Sequence, residues 1–128
     1  MSGPPLRWAV VRIDLDPTVG HEQQGIRRAL VVSYEPFHRS GMVTVCPLTT
    51  RPPKYPGEVA IPRGEAGQTK DALVLCHQVR TIDLRRVSAW EIAGRIQYVA
   101  DPRVRRQVRA ALAHHLALDL PGALDGAT

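Results

Sequence analysis

The sequence predicts a mainly β fold: a small, strongly bent antiparallel sheet closing into a barrel, with one α-helix at its C-terminal end. Three observations carry this. Five or six short apolar runs alternate with polar loops marked by Gly, Pro and Asp. Only the stretch after Asp101 keeps a clear helical repeat. And 128 residues at 44% hydrophobic content suffice for one packed core and not for two. A single domain is expected over residues 1–120, followed by a short flexible tail at 121–128.

Residues 6–15 read as the first strand, with Ala9, Val11, Ile13 and Leu15 on one face and Trp8, Val10, Arg12 and Asp14 on the other. Asp16-Pro17 turns the chain into a polar loop carrying His21, Glu22, Gln23 and Gln24. Gly25 releases it into a second strand over 28–34, with Arg27 and Arg28 at its mouth. So long a connection is no tight hairpin, and it delivers imidazole, carboxylate, amides and guanidinium to one end of a strand pair. Glu35-Pro36 and Ser40-Gly41 frame a turn before a third strand over 42–48, which ends in Thr49-Thr50. Three prolines make 51–57 (R-P-P-K-Y-P-G) a loop. A short strand at 58–61, a Gly- and charge-rich excursion through Gly67 and a buried strand at 72–79 follow, with His77 and Gln78 at the far end. Residues 81–87 look irregular, with a single helical turn begun by Asp83, and 92–99 fit either a strand or a short helix. Asp101 reads as an N-cap with Pro102 at the first helical position. Val104, Val108, Leu112 and Leu116 then recur every four residues beside Ala111, while Arg103, Arg105, Arg106 and Arg109 face elsewhere. That pattern predicts one amphipathic helix of about four turns.

Charge narrows the partners. Fifteen Arg against two Lys give a net charge of +5 and a pI near 9.9. A planar guanidinium holds a phosphate bidentately and stacks on bases, so the balance favours an anionic partner. Cys46 and Cys76 are the only cysteines, each inside an apolar run and without a C-x-x-C or Cys/His cluster. They read as buried free thiols, and spacing alone leaves a disulfide open. No apolar leader opens the chain and no stretch approaches the length of a membrane span, so no membrane role and a cytoplasmic location are expected.

Four ordered segments resemble the MazF/PemK (Kid) toxin family: W-A-V-V-R-I-D-L-D-P-T-V-G-H-E-Q-Q-G-I-R-R-A-L-V-V-S, V-T-V-C-P-L-T-T, K-Y-P-G-E-V-A-I and L-V-L-C-H-Q-V-R-T-I-D. The likeness covers roughly residues 7–86, and the helix after Asp101 fits the family by position. It implies an SH3-like barrel of the plasmid-maintenance toxin type (CcdB, MazF, Kid) that forms a homodimer. It also implies an endoribonuclease that cuts single-stranded mRNA at short sequences, and a cognate antitoxin whose acidic, partly disordered tail fills the RNA groove. Arg27 falls on the family's catalytic arginine and Thr49 on its catalytic threonine.

The chain also departs from the family. Arg28 stands where most relatives have proline, and His77 where an acidic residue often precedes the glutamine. Leu75 replaces the arginine that acts as acid in the Kid branch, and Gly57 replaces the Phe that usually follows Tyr-Pro. A one-residue slip in a strand reverses its face, so only one of Arg27 and Arg28 is expected to point at the site. The gap-free match of Gly25 and Ala29 favours Arg27.

RNA carries its own nucleophile, the 2′-hydroxyl, so such an enzyme need only position it, move protons and stabilise the phosphorane charge. The sequence has no dense carboxylate cluster or His/Cys ligand set, which argues against metal-assisted hydrolysis; no metal or other cofactor is expected. Arg27 is expected to clamp the scissile phosphate, and Thr49 to hold a phosphate oxygen or orient the 2′-hydroxyl. His77, with an unperturbed pKa near neutrality, is expected to take over proton transfer. RNA contacts are expected from His21, Glu22, Gln23, Gln24, Arg28, Thr50, Lys54, Gln78 and Arg80. Trp8 and Trp90 read as core residues, and His114 and His115 as solvated or packed against a partner. Two other classes compete: a non-catalytic toxin of the same barrel acting by protein contact, as a gyrase poison does, and a basic RNA-binding module. The arginine at the loop's end and the strand-end threonine favour the nuclease, since a gyrase poison needs neither.

Overall fold

Strand β1 (Ala9–Asp14) is apolar at consecutive positions because its first half is buried on both sides. In the computed structural model, which describes residues 3–16, 19–22 and 25–118, alternate residues of β1 enter two separate apolar clusters. Ala9, Val11 and Ile13 join Leu15, Ala29, Val31, Val43, Val45 and Ile82. Val10 joins Trp8, Leu30, Cys46, Leu48, Val59, Ile61 and Val74 on the opposite side, which the helix covers.

The remaining strands are β2 (Ile26–Val31), β3 (Met42–Thr49), β4 (Glu58–Ile61), β5 (Ala72–Leu75), β6 (Arg80–Asp83), β7 (Val87–Ala89) and β8 (Gln97–Tyr98). They run in the order β4-β5-β3-β2-β1-β7, with β6 also on β3 and β8 also on β1, every pairing antiparallel. The sheet curls as the sequence suggests but does not close, since β4 and β7 are the free ends of this path.

β3 organises the curl. One edge pairs with β2; the other takes β6 along residues 42–45 and β5 at residues 48–49. Leu48 faces Val74, whereas Val45 faces Arg80. Three steps back along β3 thus correspond to six along the opposing chain, and the three surplus residues loop out as a 3-10 turn, Cys76–Gln78. The strand expected over 72–79 therefore stops at Leu75, and His77 and Gln78 sit on a turn rather than a strand end. β6 pairs with β3 although residues 81–83 were expected to be irregular, while Asp83 does begin a turn by accepting from the Arg85 amide at 2.8 Å. The 92–99 stretch is neither a helix nor one continuous strand: Ile92 and Arg95 bridge across a tight turn at Ala93-Gly94, and the short β8 follows.

Helix α1 (Pro102–His115) starts as its caps dictate, Asp101 Oδ1 accepting from the Arg103 amide at 2.9 Å with Pro102 at the first position. Val104, Val108 and Ala111 are buried and Leu112 packs beside them, against β4 and the 76–78 turn. Leu116 is left 53% exposed. Most of the apolar stripe is thus spent within the chain and lends no separate support to a dimer. Trp8 is core as expected, Trp90 packs half-buried against the second cluster, and Cys46 and Cys76 are buried free thiols. Among the described residues no helix is long and apolar enough to cross a membrane. The boundary expected at residue 120 and the tail at 121–128 lie outside the described residues.

Replacing Asp101 by Ala removes the cap and is expected to cost about 1 kcal/mol, a few degrees in Tm. Asp101→Ser should recover most of it, both read by thermal unfolding.

Candidate active site

The β2–β3 ladder aligns Val31 with Val45, Leu30 with Cys46 and Ala29 with Pro47. Two steps further, where the ladder has ended, the same register sets Arg27 against Thr49. Strand alternation gives Arg27, Ala29 and Val31 one face together with Val45, Pro47 and Thr49. A cleft of about 250 Å³ opens here, bordered by Arg27, Arg28, Lys70, Thr49, Thr50 and Thr69 with Ile26, Leu48, Gln68 and Ala72. Three cations and three hydroxyls meet in it, and no carboxylate is in its lining.

Both arginines border this cleft, not one alone as strand alternation suggested, because it wraps around the end of β2 beyond the last β2–β3 pair. Arg28 is tethered: its Nη1 donates to Gln68 Oε1 at 3.2 Å, and Gln68 Nε2 donates to the Ala66 carbonyl at 3.1 Å. Thr49 is buried, and its Oγ1 accepts from the Arg51 amide at 3.4 Å. Its O–H is thereby left to donate, the role a phosphate oxygen requires. Lys70, Gln68 and Thr69 were not anticipated; the only signal was the polar run Q-T-K after Gly67.

The loop before Arg27 is anchored at its base. Gly25 N–H donates to Asp16 Oδ1 at 2.9 Å, Leu15 N–H to the Gly25 carbonyl at 2.9 Å, and Arg86 Nη1 to the Asp16 carbonyl at 2.7 Å. Glu22 uses its carboxylate on its own loop, accepting from Val19 N–H at 2.7 Å. A second cleft, about 230 Å³, is bordered by Glu22, Leu15, Pro47, His77, Gln78, Val79 and Arg80. Pro47 and Thr49 lie two residues apart on one face of β3, so this cleft adjoins the first. His77, Gln78, Arg80 and Glu22 therefore stand beside the Arg27–Thr49 cleft rather than in its lining. His21 is exposed, and neither it nor Lys54 borders either cleft. Gln23 and Gln24 lie outside the described residues.

His77 also borders a third cleft, about 370 Å³, with Tyr55, Pro56, Gly57, Cys76, Ala111, His114 and His115. Its ring packs on Tyr55, centroids 5.0 Å apart and tilted by 59°. Nδ1 is buried without a hydrogen-bond partner among the described residues. Burial pushes the imidazole below its ordinary pKa; Glu58 pulls it back up, while Arg51 and His115 add to the lowering. The ring is therefore neutral at pH 7 and able to accept a proton.

Sequence reasoning passed over Arg51 and Glu58, which hold this wall together. The Glu58 side chain is 1% exposed and paired with Arg51 through both oxygens. It also accepts from the amides of Lys54 at 2.7 Å and Tyr55 at 3.2 Å, while Arg51 Nη1 donates to the Pro52 carbonyl at 2.8 Å. Arg51, aided by those amides, holds the carboxyl at a pKa of about 2. An acid and an arginine flanking a triple-proline loop were the available signal. Lys54 thus contributes its backbone to the loop. His114 and His115 are exposed. Among the described residues no three of His, Cys, Asp or Glu come together as metal ligands.

Residues 6–116 match the family model described as PemK-like, MazF-like toxin of type II toxin-antitoxin system. The chain is 38% identical over 88 residues to the endoribonuclease toxin MazF of Escherichia coli (strain K12), covering 66% of this chain and 68% of that one. It is 33% identical over 85 residues to endoribonuclease EndoA of Bacillus subtilis (strain 168), 64% and 73% of the respective chains. It superposes on MazF (Form-I) from Deinococcus radiodurans with a TM-score of 0.69 at 30% identity, covering 91% of this chain and 99% of that one. For the MazE-MazF complex (Form-II) of that organism the TM-score is 0.66 at 30% identity, with 90% and 96% covered.

Because Glu58 is depressed from 4.5 to about 2, its contribution to stability is complete above pH 4.5 and is lost as pH falls toward 2. Glu58→Gln should cost about 2 kcal/mol at pH 7 and flatten the stability profile in that window, measured by urea unfolding. The His77 ring should titrate below 6.5 by NMR, and His115→Gln should move its midpoint upward by removing a like charge.

Proposed function

Since the chain belongs to the PemK-like, MazF-like toxins of type II toxin-antitoxin systems, we propose that it is the toxin of such a pair and a metal-independent endoribonuclease of single-stranded mRNA. The observation that carries this is one cleft bordered by Arg27 and Thr49, rich in cations and without a carboxylate in its lining. Such a cleft suits a phosphodiester and its transition state, which gains negative charge.

In this reading the 2′-oxygen attacks phosphorus and the 5′-oxygen leaves, giving a 2′,3′-cyclic phosphate and a 5′-hydroxyl. Arg27 clamps the non-bridging oxygens as charge builds on them. The Thr49 hydroxyl donates to one of those oxygens or fixes the 2′-hydroxyl. His77, neutral at pH 7 and in the adjoining cleft, exchanges the proton. Arg28, Thr50 and Lys70 hold phosphates beside the cut, while Glu22, Gln78 and Arg80 meet unstacked bases in the second cleft. His21, Gln23 and Gln24 reach the RNA from the loop and Lys54 from the proline-rich segment. The protein works in the cytoplasm as a homodimer and is silenced by a cognate antitoxin with an acidic, partly disordered tail. The MazE-MazF complex of D. radiodurans supports the pairing.

Purified protein should cut a long RNA in EDTA, with the sequence of the site read from mapped 5′ ends. Arg27→Ala should lower the rate by about a thousandfold and Thr49→Val by about a hundredfold. RNA that binds with steep salt dependence yet stays intact would instead establish a binding module. Toxicity without cleavage would favour action by protein contact. His77→Ala should slow cleavage and flatten its pH dependence near neutrality; unchanged kinetics return His77 to a packing role.

A further inference from the structure

At the start of β1, outside all three clefts, three guanidinium groups converge on one aromatic ring. Arg7, Arg105 and Arg109 lie 5.2, 5.4 and 6.0 Å from the ring of Trp8. Trp8 is buried and its backbone is left-handed, φ 71°, a conformation that costs a bulky residue energy. Its N–H donates to the Val31 carbonyl and its carbonyl accepts from Val99 N–H, both at 2.8 Å, so the ring is fixed. Arg105 Nε donates to the Val99 carbonyl at 2.7 Å, which fixes the second guanidinium.

The charges oppose one another. Burial, then Arg109 and Arg105, pull Arg7 below its ordinary pKa. None of the ion pairs among the described residues includes any of the three. The carboxylate of Glu35 accepts from the backbone amides of Leu6 and Arg7, not from a guanidinium. Attraction to a ring face offsets about 0.5–1 kcal/mol per cation at an exposed site and about 2 kcal/mol where water is excluded. With the ring covered, the cluster offers no face for base stacking; what it offers a ligand is positive charge and N–H groups.

We infer that Arg7, Arg105 and Arg109 form a phosphate-binding site, a second hold on the backbone of an RNA strand whose scissile bond lies between Arg27 and Thr49. This rests on the nuclease reading above. Ile13, the cross-strand partner of Arg27, lies four residues beyond Ala9, the first residue of β1 and the neighbour of Trp8, about 14 Å at strand spacing. That separation is within the reach of the roughly 4–16 nucleotides that small barrels track. Trp8 packs on the opposite side of the sheet from Ala29, so an RNA strand joining the two sites passes around the sheet's edge. A site that one RNA strand can span together with the scissile cleft favours RNA over an acidic peptide as occupant.

The test uses the full chain and single-stranded RNAs of about 4 and about 16 nucleotides, each with a 2′-deoxy sugar at the mapped cut so that it binds intact. Anisotropy titrations over a salt series should show Arg105→Gln/Arg109→Gln weakening the longer RNA about tenfold and lowering its salt slope by about 1.4, at roughly 0.7 for each phosphate no longer neutralised. Arg105→Lys/Arg109→Lys should restore the slope. Arg109→Gln alone, which leaves the Arg105 hydrogen bond in place, should give about half the loss and guards against misfolding. An unchanged slope in a folded variant overturns the inference, as does failure of the lysine variant to restore it. A loss seen for poly-glutamate and not for RNA also overturns it, in favour of a protein partner. Failure of the nuclease reading shows separately, as unmodified RNA that the parent protein never cuts.

Discussion

β3 has more neighbours than one register can serve, and the rest of the molecule follows from how that conflict is resolved. Its second edge takes β5 and β6 in registers three residues apart, and the surplus becomes the 76–78 turn. A sheet paired this way bends at β3. The turn projects from the bend, placing His77 and Gln78 next to Pro47, while the far end of β3 carries Thr49 to the start of β2. The two clefts are therefore neighbours because one strand is shared between two pairings.

Electrostatics in this region work by withdrawing acids rather than by adding bases alone. Glu58 is buried and spent on Arg51 and two backbone amides, and Glu22 is spent on its own loop. The cations of the first cleft thus meet no competing carboxylate in its lining. An incoming anion meets cations and hydroxyls along that lining, and positive charge gathered in a cleft raises its local concentration.

Features governed by local chemistry were legible in the sequence. The alternation at residues 9, 11, 13 and 15 and the Asp101-Pro102 cap both stand as read. The resemblance, carried by ordered motifs, named Arg27 and Thr49, which one cleft now brings together. What escaped depends on partners distant in sequence. Nothing in L-V-L-C-H-Q-V-R announces that β5 ends at Leu75, because the cause lies in the β3 register. β6 buries only Ile82 and β7 spans three residues, too little for a period to appear. The choice between Arg27 and Arg28 assumed a site on one face of β2, whereas the cleft wraps around the end of that strand beyond its last pair with β3 and takes in both. Arg51 and Lys70 sit in loops, and Glu58 at the first position of β4, where polar letters look alike until the chain is folded.

Arg51 serves both halves of this arrangement. Its main-chain N–H holds the Thr49 oxygen, and its guanidinium holds Glu58 and, through it, the backbone of Lys54 and Tyr55 against His77. The proline-rich segment and the threonine are thus joined through the main chain and side chain of a single residue. One residue thereby ties the hydroxyl of the first cleft to the aromatic wall of the third.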